Sequence, residues 1–116
     1  MRPTPLFWLL SSPRSWEGRA AARGRVTTVH LEVGGKVQGV GFRWFVREAA
    51  RRAGLAGWVK NRADGRVEIA AAGSDTAIAD LLVAARMGPP GARVDHVAEL
   101  PCADLDELPR PFTVMR

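Results

Sequence analysis

The hydrophobic period of this chain changes across one glycine-rich stretch, and that change limits the folds open to it. Before the stretch, Val29, Leu31 and Val33 alternate with Thr28, His30 and Glu32, the period-2 signature of a half-buried strand. After it, Phe42, Phe45, Val46, Ala49, Ala50 and Ala53 recur at helical spacing and form one apolar stripe. Arg47, Glu48, Arg51 and Arg52 lie off that stripe, and Gly54 is a natural stop. Between the two runs stands Gly35-Lys36-Val37-Gln38-Gly39-Val40-Gly41, continuing into Phe42-Arg43. Glycines let the backbone turn tightly and approach a ligand closely. A loop of successive N–H groups feeding a helix N-terminus favours an anion, because the donors are unpaired and the helix dipole is positive there. Arg43, where loop becomes helix, carries a planar fork of donors that matches phosphate oxygens.

Several phosphate and nucleotide motifs share that outline. A Walker loop needs Ser or Thr after its Gly-Lys, and Lys36 is followed by Val37. A dinucleotide fingerprint needs a third glycine where Trp44 stands. The segment Gly39 to Phe45 also matches the aromatic strand of an RNA-recognition module, which would make Phe42 and Phe45 stacking platforms. The helical pattern after Phe42 speaks against that reading. A glycine-rich turn with no function stays open at this point.

The rest of the chain supplies the architecture. Leu55 to Asn61 reads as a second strand, and Arg62-Ala63-Asp64-Gly65 as a hairpin turn. Val67, Ile69 and Ala71 alternate in the returning strand. Ser74 and Asp75 can cap a second helix whose buried face is Ile78, Leu81, Leu82 and Ala85, ended by Gly88-Pro89-Pro90-Gly91. Arg93 to Leu100 is a fourth strand, and Phe112-Thr113-Val114 forms a short edge strand after an acidic, proline-bounded loop. The order β-α-β-β-α-β specifies an α+β, ferredoxin-like sandwich, an antiparallel sheet with two helices on one face. A helix of about 12 residues rises roughly 18 Å, and a strand of about 7 residues returns roughly 23 Å. The two nearly cancel, so Asn61 should come back beside Arg43.

Other residues carry no chemistry on this reading. His30 falls on the polar parity of its strand and is expected to be solvated rather than a ligand. Trp44 is expected to pack on the surface rather than shield the site. Cys102 has no neighbouring histidine and is not read as a nucleophile.

Charge separates two parts of the chain. Residues 1–25 hold five arginines against Glu17, and the remainder holds 12 basic and 11 acidic side chains, so the body is close to neutral although the whole carries +5. A near-neutral body argues against a nucleic-acid partner. With three prolines and no sustained period, residues 1–25 are expected to form a disordered basic N-terminal extension, of the kind an upstream start codon adds. A surface-binding tail using Trp8 and Trp16 is the alternative. Leu6 to Leu10 is too short for a signal peptide's apolar region or a membrane span. One cysteine excludes an intramolecular disulfide framework and fits a reducing, cytoplasmic compartment.

The region around the loop and Asn61 limits the reaction by what it lacks. It contains no His, Cys, Asp or Glu to serve as nucleophile, strong base or metal ligand. Phosphoryl transfer without those groups needs a leaving group that departs unaided. A carboxylate qualifies, since its conjugate acid has a pKa of about 4.3, and acyl phosphates carry such a leaving group.

Gly-Lys-Val-Gln-Gly-Val-Gly-Phe-Arg at 35–43, with Gly57-Trp58-Val59-Lys60-Asn61 and Asp64-Gly65-Arg66-Val67, resembles the acylphosphatase family. The resemblance runs from about Val26 to Leu100 and on through Phe112-Thr113-Val114, so residues 26–116 are read as one acylphosphatase-like domain. It implies hydrolysis of an acyl phosphate to a carboxylate and inorganic phosphate by water, with no cofactor and no metal. Arg43 would bind the phosphate and Asn61 would orient the water. The backbone N–H groups of Gln38, Gly39, Val40, Gly41 and Phe42 would hold phosphoryl oxygens. We expect a monomer whose partner is its small-molecule substrate, with no nucleic acid and no membrane. A carbamoyl-phosphate-handling domain of a larger hydrogenase-maturation protein is the alternative; the zinc-finger cysteines that follow it there do not occur in this chain.

Overall fold

The computed structural model describes residues 26–103 and 105–116; the expectation for residues 1–25 lies outside the described residues. The alternation noted above builds β1 (Thr27–Lys36), with Leu31 and Val33 fully buried. It runs on to Lys36, three residues past the last alternating apolar position, Val33. Gly35 and Lys36 still pair with Val94 and Arg93 past a register shift at Gly34/Gly35. Helix α1 (Phe42–Arg52) follows, then β2 (Ala56–Asn61), β3 (Val67–Gly73), α2 (Asp75–Met87) and β4 (Arg93–Glu99). A three-residue strand, β5 (Thr113–Met115), completes the sheet.

The strand order is β4-β1-β3-β2-β5. β1 pairs antiparallel with β3 and β4, and β3 antiparallel with β2. The expected all-antiparallel sheet holds for these four strands, but β5 lies parallel to β2, with Val114 opposite Val59, so the sheet is mixed. Three residues are too few to display a direction through periodicity.

Registers explain why one core suffices. Leu31 stands opposite Ile69, which stands opposite Val59, giving an apolar row across three strands. Phe42, Val46 and Ala50 of α1 and Ile78, Leu81 and Ala85 of α2 join the same buried cluster, so both helices cover one face of the sheet. Phe112, just ahead of β5, is fully buried in it too. Phe45, Ala49 and Leu82 are only half-buried, at the margins of the helical stripes.

The other face of the sheet is closed by charge pairing. His30 Nε2 lies 2.5 Å from Glu68 Oε2, and its Nδ1 lies 2.9 Å from the Pro101 carbonyl. The side chain is 14% exposed, so it is not the solvated histidine its parity suggested. The register puts Glu32 opposite Glu68, a like-charge pair that would be unfavourable alone. Arg62 at 3.2 Å, Arg66 at 3.4 Å and His96 at 3.6 Å surround Glu32, and His30 takes Glu68.

Ser74 caps α2 as expected, its Oγ accepting from Ala77 N at 3.1 Å. Ser74→Ala removes that acceptor and is expected to cost about 1 kcal/mol. In a domain of this size that is a fall of about 4–8 °C in Tm, readable by thermal denaturation. Turnover should be unchanged, because Ser74 follows the end of β3 remote from Asn61.

Candidate active site

Two buried side chains pin the loop between β1 and α1. Val37 and Phe42, each 1% exposed, anchor its ends in the core. Between them Gly39 (φ 76°) and Gly41 (φ 78°) adopt left-handed backbone conformations. A Cβ built on either meets nothing within 4 Å, so glycine is needed there for its dihedral freedom and not for space. Any other L-residue would lose roughly 1–2 kcal/mol. Among the described residues, no N–H from Gln38 to Arg43 donates to a protein acceptor. These are the orphan donors of a helix N-terminus, extended backwards by the loop.

Arg43 sits in the first turn of α1, which contains no acidic residue. A cation near the positive end of a helix dipole is unfavourable by about 0.3–1 kcal/mol. The position breaks a local rule in a way that a bound anion would reverse. Arg43 Nη1 donates to the Met115 carbonyl at 3.2 Å, so β5 orients the guanidinium, which makes no other hydrogen bond among the described residues.

Asn61 is the last residue of β2 and does return to the loop. The observed helix of 11 residues and strand of 6 residues bring it to the cavity that Arg43 lines. Its Oδ1 is buried and has no hydrogen-bond partner among the described residues. Such an acceptor costs about 1–3 kcal/mol if left unmade.

The cavity measures about 630 Å³ and opens over the loop. Gly39, Gly41, Phe42, Arg43 and Asn61 all line it, while Gln38 and Val40 do not. Gln38 turns its side chain away, donating from Nε2 to the Arg62 and Arg66 carbonyls at 2.8 and 2.9 Å. Those carbonyls belong to the hairpin after Asn61, where Asp64 accepts from Arg66 N at 3.0 Å. That backbone N–H, with the Arg62 and Arg66 guanidinium groups, holds the Asp64 carboxyl below its usual range.

Sequence reasoning missed part of the lining. Arg47, Val114 and Arg116 also face the cavity, and among the described residues that line it there is no Asp or Glu. Arg47 could have been found, since it follows Arg43 by four positions and shares its side of α1. Its guanidinium lies 3.8 Å from the centroid of the Trp44 ring and pairs with Glu48 at 3.1 Å. Trp44 is 59% exposed, lines the cavity and packs its ring against the Arg47 guanidinium.

The sequence matches the Acylphosphatase family over residues 29–113. The chain belongs to the acylphosphatase family. Over 65 residues it is 60% identical to an acylphosphatase from Koribacter versatilis, a match covering 56% of this chain and 59% of that protein. Against the acylphosphatase of Rhizobium etli it is 45% identical over 86 residues, 74% of this chain and 90% of the other. The crystal structure of acylphosphatase from Bacillus subtilis superposes with a TM-score of 0.71 at 39% identity, covering 79% of this chain and all of that one. The ferredoxin-like fold is thus shared with a solved acylphosphatase.

Proposed function

We propose that this enzyme hydrolyses acyl phosphates to a carboxylate and inorganic phosphate by direct attack of water, in the cavity between the glycine loop and the end of β2. The observation that carries the reading is the pairing of unmet groups around one cavity. Loop N–H donors and the Arg43 guanidinium lie on one side and Asn61 Oδ1 on the other, the N–H groups and Oδ1 without a partner among the described residues. Donors and a cation suit phosphoryl oxygens, and a lone acceptor suits the O–H of a water.

The loop N–H groups that face the cavity, with Arg43, bind the phosphoryl group and meet the charge that shifts onto its oxygens. Asn61 accepts a hydrogen bond from water and holds its oxygen towards phosphorus. As the new P–O bond forms, the bond to the acyl oxygen breaks and its electron pair leaves on the carboxylate. An amide cannot take the water's proton, which passes to a phosphoryl oxygen. A carboxylate leaves without general acid, and among the described residues no Asp, Glu, Cys or His side chain lines the cavity to supply one. A divalent ion would find no ligand set in that lining.

The setting fits a cytoplasmic monomer that takes neither nucleic acid nor membrane. Cys102 is a free, exposed thiol, as in a reducing compartment. Among the described residues no helix is long and apolar enough to cross a membrane. Among the described residues the exposed large apolar side chains are Val26, Trp44 on α1, Val83 and Met87 together on α2, and Met115 on β5.

The test is release of phosphate from benzoyl phosphate by purified protein, with and without EDTA. The rate should be the same in both, and p-nitrophenyl phosphate, an ester, should be turned over far more slowly. Absence of turnover, or its loss on chelation, would refute the reading.

A further inference from the structure

We propose that Gln38 is a positioning residue: its side-chain amide fixes the distance between the phosphate loop and Asn61. The inference rests on the hydrolase reading above, and it assigns the side chain a role separate from that of the Gln38 backbone N–H.

Nε2 of Gln38 spends both hydrogens on two carbonyls, Arg62 O at 2.8 Å and Arg66 O at 2.9 Å. Each carbonyl already accepts one bond within the hairpin: Arg62 O from Gly65 N at 3.2 Å and Arg66 O from Arg62 N at 2.8 Å. With two lone pairs apiece, both are filled by the turn plus Gln38. The amide therefore sits at the mouth of the β2–β3 hairpin as a shared donor. Arg62 directly follows Asn61, and Gly39 directly follows Gln38. One side chain thus joins the backbone next to the water-orienting residue to the backbone that turns into the N–H cradle.

The tie is not needed to hold the loop in the fold, since Val37 and Phe42 already bury its two ends. Among the described residues, the Gln38 bonds are the only side-chain hydrogen bonds that residues 37–41 make. What they set is relative placement. A phosphoryl group seated on the loop and a water seated on Asn61 must meet in line, and a displacement near 1 Å can cost on the order of 100-fold.

The test is a kinetic double-mutant cycle on benzoyl phosphate, with Gln38→Leu and Gln38→Glu each made alone and with Asn61→Ala. Leucine keeps bulk and loses both donors; glutamate keeps shape and sets a carboxylate against two carbonyls. Each single variant should lower kcat on the order of 10- to 100-fold, while the inhibition constant for inorganic phosphate stays within about threefold. In the Asn61→Ala background the same substitutions should change kcat less than about twofold, because no water is left to misplace. Gln38→Asn, which keeps both donors on a shorter stem, should fall with the others. An unchanged kcat in the single variants overturns the proposal. So does a loss that multiplies in full on Asn61→Ala, or weakened phosphate inhibition in step with kcat. If Gln38→Leu does not fold, the Glu and Asn variants decide the same ratios. An inactive wild-type protein refutes the hydrolase reading itself and this proposal with it; with an active one, the variant outcomes above refute the proposal alone.

Discussion

Arg43→Lys is expected to lower kcat/KM for benzoyl phosphate by well over tenfold, and Arg43→Ala by on the order of 10³, with Tm and far-ultraviolet circular dichroism unchanged. Lysine preserves the charge but replaces a planar five-donor fork by a mobile point charge. It also cannot keep one donor on the Met115 carbonyl, now made by Nη1 at 3.2 Å, while presenting two in a fixed plane to the phosphate. The phosphoryl group then loses orientation as well as attraction. Inhibition by inorganic phosphate should weaken in step, because the guanidinium binds the group in ground and transition states alike. The fold should tolerate either change, since the side chain belongs to none of the buried clusters. A lysine variant retaining more than about a tenth of wild-type kcat/KM, a loss under ~1.4 kcal/mol, would show that Arg43 does not hold the phosphate.

Asn61→Ala should separate the second role from the first. It is expected to reduce kcat by on the order of 10²–10³, the scale seen when one positioned polar group is removed from a transition state. The inhibition constant for phosphate should move less than about threefold, under ~0.7 kcal/mol. Stability should hold or rise slightly, because the substitution removes a buried acceptor that has no partner among the described residues. Steady-state kinetics with phosphate as inhibitor and a thermal melt measure all three quantities. If phosphate affinity falls in parallel with kcat, Asn61 contacts the phosphoryl group and does not act on water alone.

How much of this was legible depended on whether the signal was local. The parity of Val29, Leu31 and Val33, the helical stripe from Phe42 and the Ser74 cap are short-range patterns, and each element formed where its pattern lay. The meeting of Arg43 and Asn61 followed from lengths alone, because a helix and a strand of similar reach must return to the same end. What the residues did not disclose depends on long-range register. That His30 faces Glu68, and that Glu32 meets Arg62, Arg66 and His96, is settled only once β1 aligns with β3 and β4. The continuation of β1 through Gly35 and Lys36 is imposed by β4 across a bulge, against the low strand propensity of glycine. Gln38 reads as one more loop residue until the hairpin carbonyls come within its reach. The direction of β5 is set by its pairing with β2, which a three-residue motif does not announce.

The anchoring of Arg43 by β5 sets how activity should relate to the melting of the molecule. Opening free energies vary across a native structure, and an edge strand of three residues lies at the low end of that range. Phe112 holds the start of β5 in the core, but Met115, whose carbonyl restrains Arg43, is exposed at its end. Local detachment of that end releases the guanidinium while the four antiparallel strands and both helices remain paired. The competence of the site is therefore governed by the smallest cooperative unit that contains β5, and on warming it should decline before the domain as a whole unfolds.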